Sequence, residues 1–307
     1  MPTPKHRQHK ISACQHDIAK LENTERELLF TRLVAERYMR KSADIMHIYD
    51  AVQCNWNETL YIMFLRTLGG VDNKIAMTTL GQRVSYCILQ REKHSLRSLE
   101  AMLLGGAGLL SLYPDDDYTK PLKEEFSHLC SKYNIVPMSA SEWQLSPRYI
   151  YNHPTLRLTQ VASCIYHNTF TMSQMLECTT ADDVYALFAG EMSEHWLKNF
   201  IPNTPSSLST QRIGLLKSEL LGINLVAAMM YAYGSYTHSR DITARMFQLL
   251  ENIPAESNYL THPWYGAGVE PTNATVSQAL IQLSKEYCSR NRCGECPLTM
   301  HLHPSTR

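Results

Sequence analysis

At 307 residues, with 44% apolar and 19% charged side chains, the chain can bury a large core and is not composed like a disordered segment. Its 29 Lys and Arg balance 29 Asp and Glu, which weakens the case for whole-surface attraction to nucleic acid or to an anionic membrane and leaves local basic patches. No secretory leader pattern opens the chain, and the apolar run LVAAMMYAYG at 225–234 is too short to span a bilayer, so a cytoplasmic protein without membrane attachment is expected.

Residues 1–20, with PKHRQHK, are expected as a basic, flexible N-terminal segment: a solvated terminus or an arm that touches phosphate. Leu28, Leu29, Leu33, Val34, Tyr38, Ile45, Met46 and Ile48 then recur at spacings of three and four, which predicts helix over 22–51, long enough to divide in two. Trp56, Leu60, Met63, Phe64 and Thr67 mark one side of a second helix that stops at Gly69-Gly70. Further helices are predicted at 73–89, 95–107, 118–132, 154–170, 171–178, 181–197, 209–235, 237–251 and 272–288. YPDDDY at 113–118 offers an Asp cap, with Pro121 in the first turn that follows. Alternating strand patterns and hairpin turns are scarce. PNTPSSLST at 202–210 is the best linker, separating a helical domain at 21–201 from a helical subdomain at 209–307, unless the two fuse. The fold class is all-α: a multi-helix, bundle-like body with a short C-terminal cysteine-rich loop.

That loop, YCSRNRCGECPLTMHLH, is the densest chemistry. Of nine cysteines, six are dispersed as small core thiols, while Cys288, Cys293 and Cys296 cluster. With His301 or His303 as fourth ligand they suit a structural zinc of the Cys3His kind; an iron–sulfur cluster and unliganded thiols are the alternatives. Arg66, Asn73 and Arg157 sit beside apolar helix faces, where they either hold an anion or tie helices together. Arg97, Arg148 and Arg292 join Arg66 and Arg157 as a candidate nucleic-acid or anion-binding set, provided the fold gathers them. Glu256 and His262 are a weak acid–base pair, with structural bracing as the alternative. Asn224 is expected to be buried and paired. LLGGAGLL at 103–110 lacks the Lys-Ser/Thr of a P-loop and reads as close helix packing.

Cys288, Arg292, Cys293, Cys296 and Pro297 resemble the end of the helix-hairpin-helix DNA glycosylases, with a shorter first gap and no fourth cysteine. A broader resemblance rests on WNETLYIMFLRTLGGVDNK (56–74), LEAMLLGGAGLL (99–110), DDYTKPLKEEFSHLCSKYNI (116–135), NHPTLRLTQVA (152–162), GINLVAAMMYAYG (222–234) and IPAESNYL followed by SQALIQLSKEYC and CGEC (253–296). In that order they are similar to the DUF2851 family of uncharacterised bacterial proteins. Longer members carry an N-terminal part that looks like a nuclease core, and this chain is expected to correspond to the helical part without it. The resemblance carries over no activity. The first reading is an accessory or interaction protein, a partner of a nuclease-like module or a homo-oligomer, rather than an enzyme. A DNA- or RNA-binding protein is the second reading, and a hydrolase using Glu256 and His262 the third.

Overall fold

The computed structural model describes residues 17–146, 150–205, 212–265 and 269–302. Among these the secondary structure is helical throughout, apart from one two-stranded ribbon. The chain divides into two compact units: Met1–Asp44, Thr179–Ala181 and Ala227–Arg307 form unit 1, and Ile45–Cys178 with Asp182–Val226 forms unit 2. A cut at 202–210 does not reproduce this division, because the start of the chain groups with its last helices.

The first helix, α1 (Asn23–Ala51), is continuous where division was an option. Its unit-1 portion buries Leu29, Leu33, Val34 and Tyr38. The other helices of unit 1 are α11 (Ala227–Tyr236), α12 (Arg240–Asn252), α13 (Ala274–Gln282) and α14 (Pro297–Leu302). The helix predicted to run to residue 288 loosens into a π segment, Leu283–Cys288. Buried Trp264 donates its indole N–H to Ser284 Oγ at 3.0 Å, so the loop before α13 is held to that segment.

In unit 2 the order is α2 (Trp56–Gly69), α3 (Lys74–Arg83), α4 (Tyr86–Arg91), α5 (Leu96–Gly106), α6 (Thr119–Tyr133), α7 (Pro154–Tyr166), α8 (Met172–Glu177), α9 (Ala181–Leu187, one residue of which belongs to unit 1) and α10 (Leu215–Leu221). The caps explain the boundaries. Asn55 accepts from the backbone N–H groups of Asn57 and Glu58 and starts α2, while Ser85 and Ser95 start α4 and α5 in the same way. Glycine explains the tightness: a Cβ on Gly105 would run into the ring of Phe126, so α5 and α6 approach closely, as the LLGGAGLL stretch suggests. Phe64, Phe170 and Phe188 meet at centroid distances of 4.5–5.4 Å in the core.

One predicted helix falls well short of its expected length. The 181–197 pattern stops at Leu187, and a single turn follows at Glu194–Leu197. A small antiparallel ribbon, β1 (Asn199–Ile201) with β2 (Thr204–Pro205), then occupies the start of the presumed linker. Conversely, α10, a π segment at Gly222–Val226 and α11 join into one helix, Leu215–Tyr236, longer than the apolar run at 225–234. By length and composition it would suffice to cross a membrane, but 61% of its most apolar window is buried, as in a core helix. Asn224 is half-buried there and donates to Leu220 O at 3.0 Å.

Candidate functional site

The residues that shape a cavity of unit 2 come from three places. Asp116 accepts the backbone N–H groups of Tyr118 and Thr119 on one carboxylate oxygen, which caps the entry to α6 and fixes Tyr118. Glu100 projects from α5 in the middle of an apolar run and is 2% exposed. Ser193, His195 and Trp196 come from the loop after α9. That loop is pinned to α7: Ser163 donates its hydroxyl to Glu191 O at 2.7 Å, and His167 Nε2 lies 3.1 Å from the same oxygen. Gly190 allows the approach, since a Cβ there would sit 2.8 Å from Ser163 Oγ and 2.9 Å from its carbonyl carbon. Leu156, Met192, Trp196 and Phe200 close an apolar cluster beneath the site.

The resulting cavity has a volume of about 820 Å³ and is lined in part by Arg97, Glu100, Asp117, Tyr118, His195 and Lys198. The hydrogen bonds in its wall have a defined direction. Trp196 donates its indole N–H to Tyr118 Oη at 2.9 Å; an indole only donates, so Tyr118 directs its own O–H to Glu100 Oε2 at 3.0 Å. Ser193 donates to Glu100 Oε1 at 2.9 Å. Burial pushes the Glu100 carboxyl up to about 7, against the opposing pull of these two hydroxyls, and no cation contributes. Burial and the Glu100 charge both keep Tyr118 un-ionised.

His195 stacks on Tyr118 with ring centroids 3.8 Å apart and planes 10° apart. Burial lowers its affinity for a proton, with Asp116 opposing, and its Nε2 is shielded from solvent without a hydrogen-bond partner among the described residues. The wall therefore offers a carboxyl that changes charge near neutrality and an idle imidazole nitrogen. Such groups can trade protons with a ligand or bind its cationic end.

The residues singled out from sequence fall into separate places. Of the arginines, Arg97 lines the cavity. Arg66 donates to Thr78 of α3. Arg157 is buried on α7 and bonded to Asn152 and Gln160. Arg292, in unit 1, is paired with Glu295. Arg148 lies outside the described residues. Asn73 bonds both the N–H and the C=O of Gln144, a structural tie.

In unit 1, Glu256 accepts from Asn258 Nδ2 at 2.9 Å and from Gln278 Nε2 at 2.7 Å, while Gln278 in turn accepts from Arg37 Nε at 2.6 Å. His262 is 3.0 Å from Ser257 Oγ. Both residues thus have bracing partners of their own.

Cys296 is buried, Cys288 half-buried and Cys293 exposed. A turn closed by Cys296 N–H to Cys293 O at 3.2 Å brings the last two into the knuckle spacing. Among the described residues, no group of three or more His, Cys, Asp or Glu is close enough to hold a metal ion. The His301 side chain and His303 lie outside the described residues.

Sequence reasoning passed over Glu100, Tyr118, Ser193 and His195. One signal was available: a single Glu inside LEAMLLGGAGLL, whose burial in a helix interior demands partners.

The molecule is thus an all-helical protein with a polar cavity between helices and a short ribbon. The profile of the family described as "Protein of unknown function (DUF2851)" matches residues 4–259, and the chain belongs to that family. The matched span includes every cavity residue named above and ends before the cysteine loop. Neither the curated proteins nor the solved structures contain a match.

Proposed function

We propose that the protein is a helical binding and accessory protein whose working site is the unit-2 cavity, where Glu100 meets the cationic or proton-donating end of a small polar ligand. The observation that carries this reading is the Glu100 carboxyl itself: buried, bonded by two hydroxyls, facing a cavity, and without a cation to offset its charge. A positively charged ligand group supplies that missing charge and displaces the proton.

The proposal includes an interaction role, with a nuclease-like protein as the partner class. Against a duplex nucleic-acid reading stand the burial of Arg157 and the local pairing of Arg292. Against a Glu256–His262 hydrolase stands the commitment of both Glu256 oxygens to amide donors. A structural zinc on Cys288, Cys293 and Cys296 with His301 or His303 is a separate proposal, supported by the turn at Cys293–Cys296. Metal and labile-sulfide analysis of protein purified without added metal tests it: one zinc per chain supports the proposal, and iron with sulfide favours a cluster instead.

The cavity reading is tested by titrating ethanolamine into the full chain while following the resonances of Tyr118 and His195. Saturable shifts are expected at pH 8, weakening about tenfold at pH 6 as Glu100 takes up its proton and disappearing in Glu100→Gln. An absence of saturable shifts at pH 8 contradicts the reading.

A further inference from the structure

An activity beyond binding follows from the hydroxyl bonded to Glu100. Ser193 heads the turn Glu194–Leu197, a place where a serine side chain ordinarily caps the backbone that follows it. Its hydroxyl makes no such bond and turns instead to Glu100 Oε1 at 2.9 Å. Both residues line the cavity of about 820 Å³, and Glu100 is 2% exposed while Ser193 is half-buried, so the hydroxyl is the more accessible of the two. Residues on both sides fix its position: Met192 and Trp196 pack with Leu156 and Phe200, and Ser163 holds the carbonyl of Glu191.

A serine hydroxyl is a weak nucleophile until a base takes its proton, and that base works best when its own proton affinity lies near the working pH. An ordinary carboxylate is too weak for this, but burial raises Glu100 to about 7. The base must also be oriented. Tyr118 does so from the other side, donating to Glu100 Oε2 at 3.0 Å while Trp196 holds Tyr118 Oη at 2.9 Å. Around Glu100 the cavity also carries Arg97 from its own helix, Asp116 and Asp117 from the entry to α6, and Glu194, His195 and Lys198 from the loop. None of these bonds to Glu100 among the described residues, and burial keeps the titration of His195 below that of Glu100. Arg97 and Lys198 form no ion pair among the described residues, so they bring uncommitted positive charge to the cavity.

We infer that Ser193 is the nucleophile and Glu100 the general base of an acyl-transfer site for small carboxylic esters, with Tyr118 as a positioning residue. Ser193 Oγ attacks the ester carbonyl carbon as its proton passes to Glu100 Oε1. The tetrahedral intermediate carries its negative charge on the former carbonyl oxygen, for which Arg97 and Lys198 are the cations at hand. Its collapse breaks the bond to the alcohol oxygen, which takes the proton from Glu100. Water then attacks the acyl carbon and gives a proton to Glu100, and the acid departs as Ser193 Oγ recovers that proton. The inference uses the carboxyl of the proposed binding cavity but needs no ligand amine, so it goes beyond that reading.

Labelling of the full chain by a fluorophosphonate tests it: an activated serine oxygen bonds to phosphorus and fluoride leaves. The label is expected on Ser193, located by peptide mass, at a rate that rises about a hundredfold from pH 5 to pH 8 as Glu100 loses its proton. Glu100→Gln, checked for native circular dichroism, should slow labelling by about a hundredfold or more. Tyr118→Phe should move the midpoint of the pH profile upward, a change that lost packing alone does not produce. Ser193→Ala should lose the initial burst of 4-nitrophenol from 4-nitrophenyl acetate and still respond to ethanolamine. No label on Ser193 at pH 8, a labelling rate that is flat from pH 5 to pH 8, or labelling of Glu100→Gln at the wild-type rate overturns the inference. Ethanolamine binding without labelling overturns this inference alone, and labelling without ethanolamine binding overturns the binding reading alone.

Discussion

Glu100 in unit 2 and Glu256 in unit 1 are both held by two donors, but the donors differ in kind. Glu256 receives two amide N–H groups, and one of those amides, Gln278, is fixed by buried Arg37, so positive charge stands behind the network. Glu100 receives two hydroxyls with no cation behind them, and it faces open volume. An amide N–H can only donate, whereas the Ser193 hydroxyl can also accept a hydrogen bond, so Glu100 can be held as carboxylate or as acid. One carboxylate is set into the frame; the other remains available for exchange.

The largest expected effect separates these two roles by their response to pH. The Glu100 carboxyl is raised from 4.5 to about 7 in the folded chain, so its contribution is fully present below pH 4.5 and is lost as pH rises through 7. Glu100→Gln should therefore be more stable than the wild type at pH 8, by up to about 3 kcal/mol, with the gain vanishing near pH 4. Urea unfolding at a series of pH values reads this directly. The substitution preserves geometry: the new carbonyl accepts from Tyr118, and the new amide donates to Ser193.

His153 should produce the opposite slope. Burial lowers it from 6.5 to about 4, so its contribution is present above pH 6.5 and lost as pH falls toward 4. Between pH 4.5 and 6.5 the two slopes offset each other in the wild type. In the same urea series, Glu100→Gln should gain stability with rising pH across that window, and His153→Gln should lose it.

Glu256→Gln should behave unlike Glu100→Gln. It forces an amide donor against another amide donor and leaves Arg37 without its nearby negative charge, at a cost of about 1–3 kcal/mol at neutral pH. Stabilisation at pH 8, measured by the same unfolding assay, would erase the distinction between the two networks.

The smallest effect concerns the direction of the wall. Trp196→Phe removes the indole donor to Tyr118 while keeping most of the buried ring. A loss of about 1 kcal/mol is expected, together with a rise in the Glu100 titration midpoint as Tyr118 becomes a weaker donor. Unchanged titration would mean that Trp196 serves packing alone.

The contrast between the two carboxylates also shows what the sequence could reveal. The helices were legible because their apolar residues recur every three or four positions and their ends carry Asn, Ser or glycine: α2 stops at the expected Gly69-Gly70, and Asp116 caps as its spacing suggests. The second wall of the cavity was not legible. A helical pattern runs through 181–197, but Gly190 turns the chain against Ser163 and His167, contacts made between segments far apart in sequence. The ribbon at Asn199–Pro205 depends on Asn203 adopting a positive φ of 60°, which residue type alone does not dictate. Glu256 and His262 attracted notice because they lie in one loop, whereas Glu100 and Ser193 are 93 residues apart and meet only through the fold.

The most direct measurement is a carbon-detected NMR titration of the Glu100 side-chain carboxyl, assigned by its absence in Glu100→Gln. A midpoint near 7 that falls when ethanolamine is added would agree with a buried, cation-free carboxyl at a binding cavity. A midpoint near 4.5, indifferent to the added amine, would contradict it.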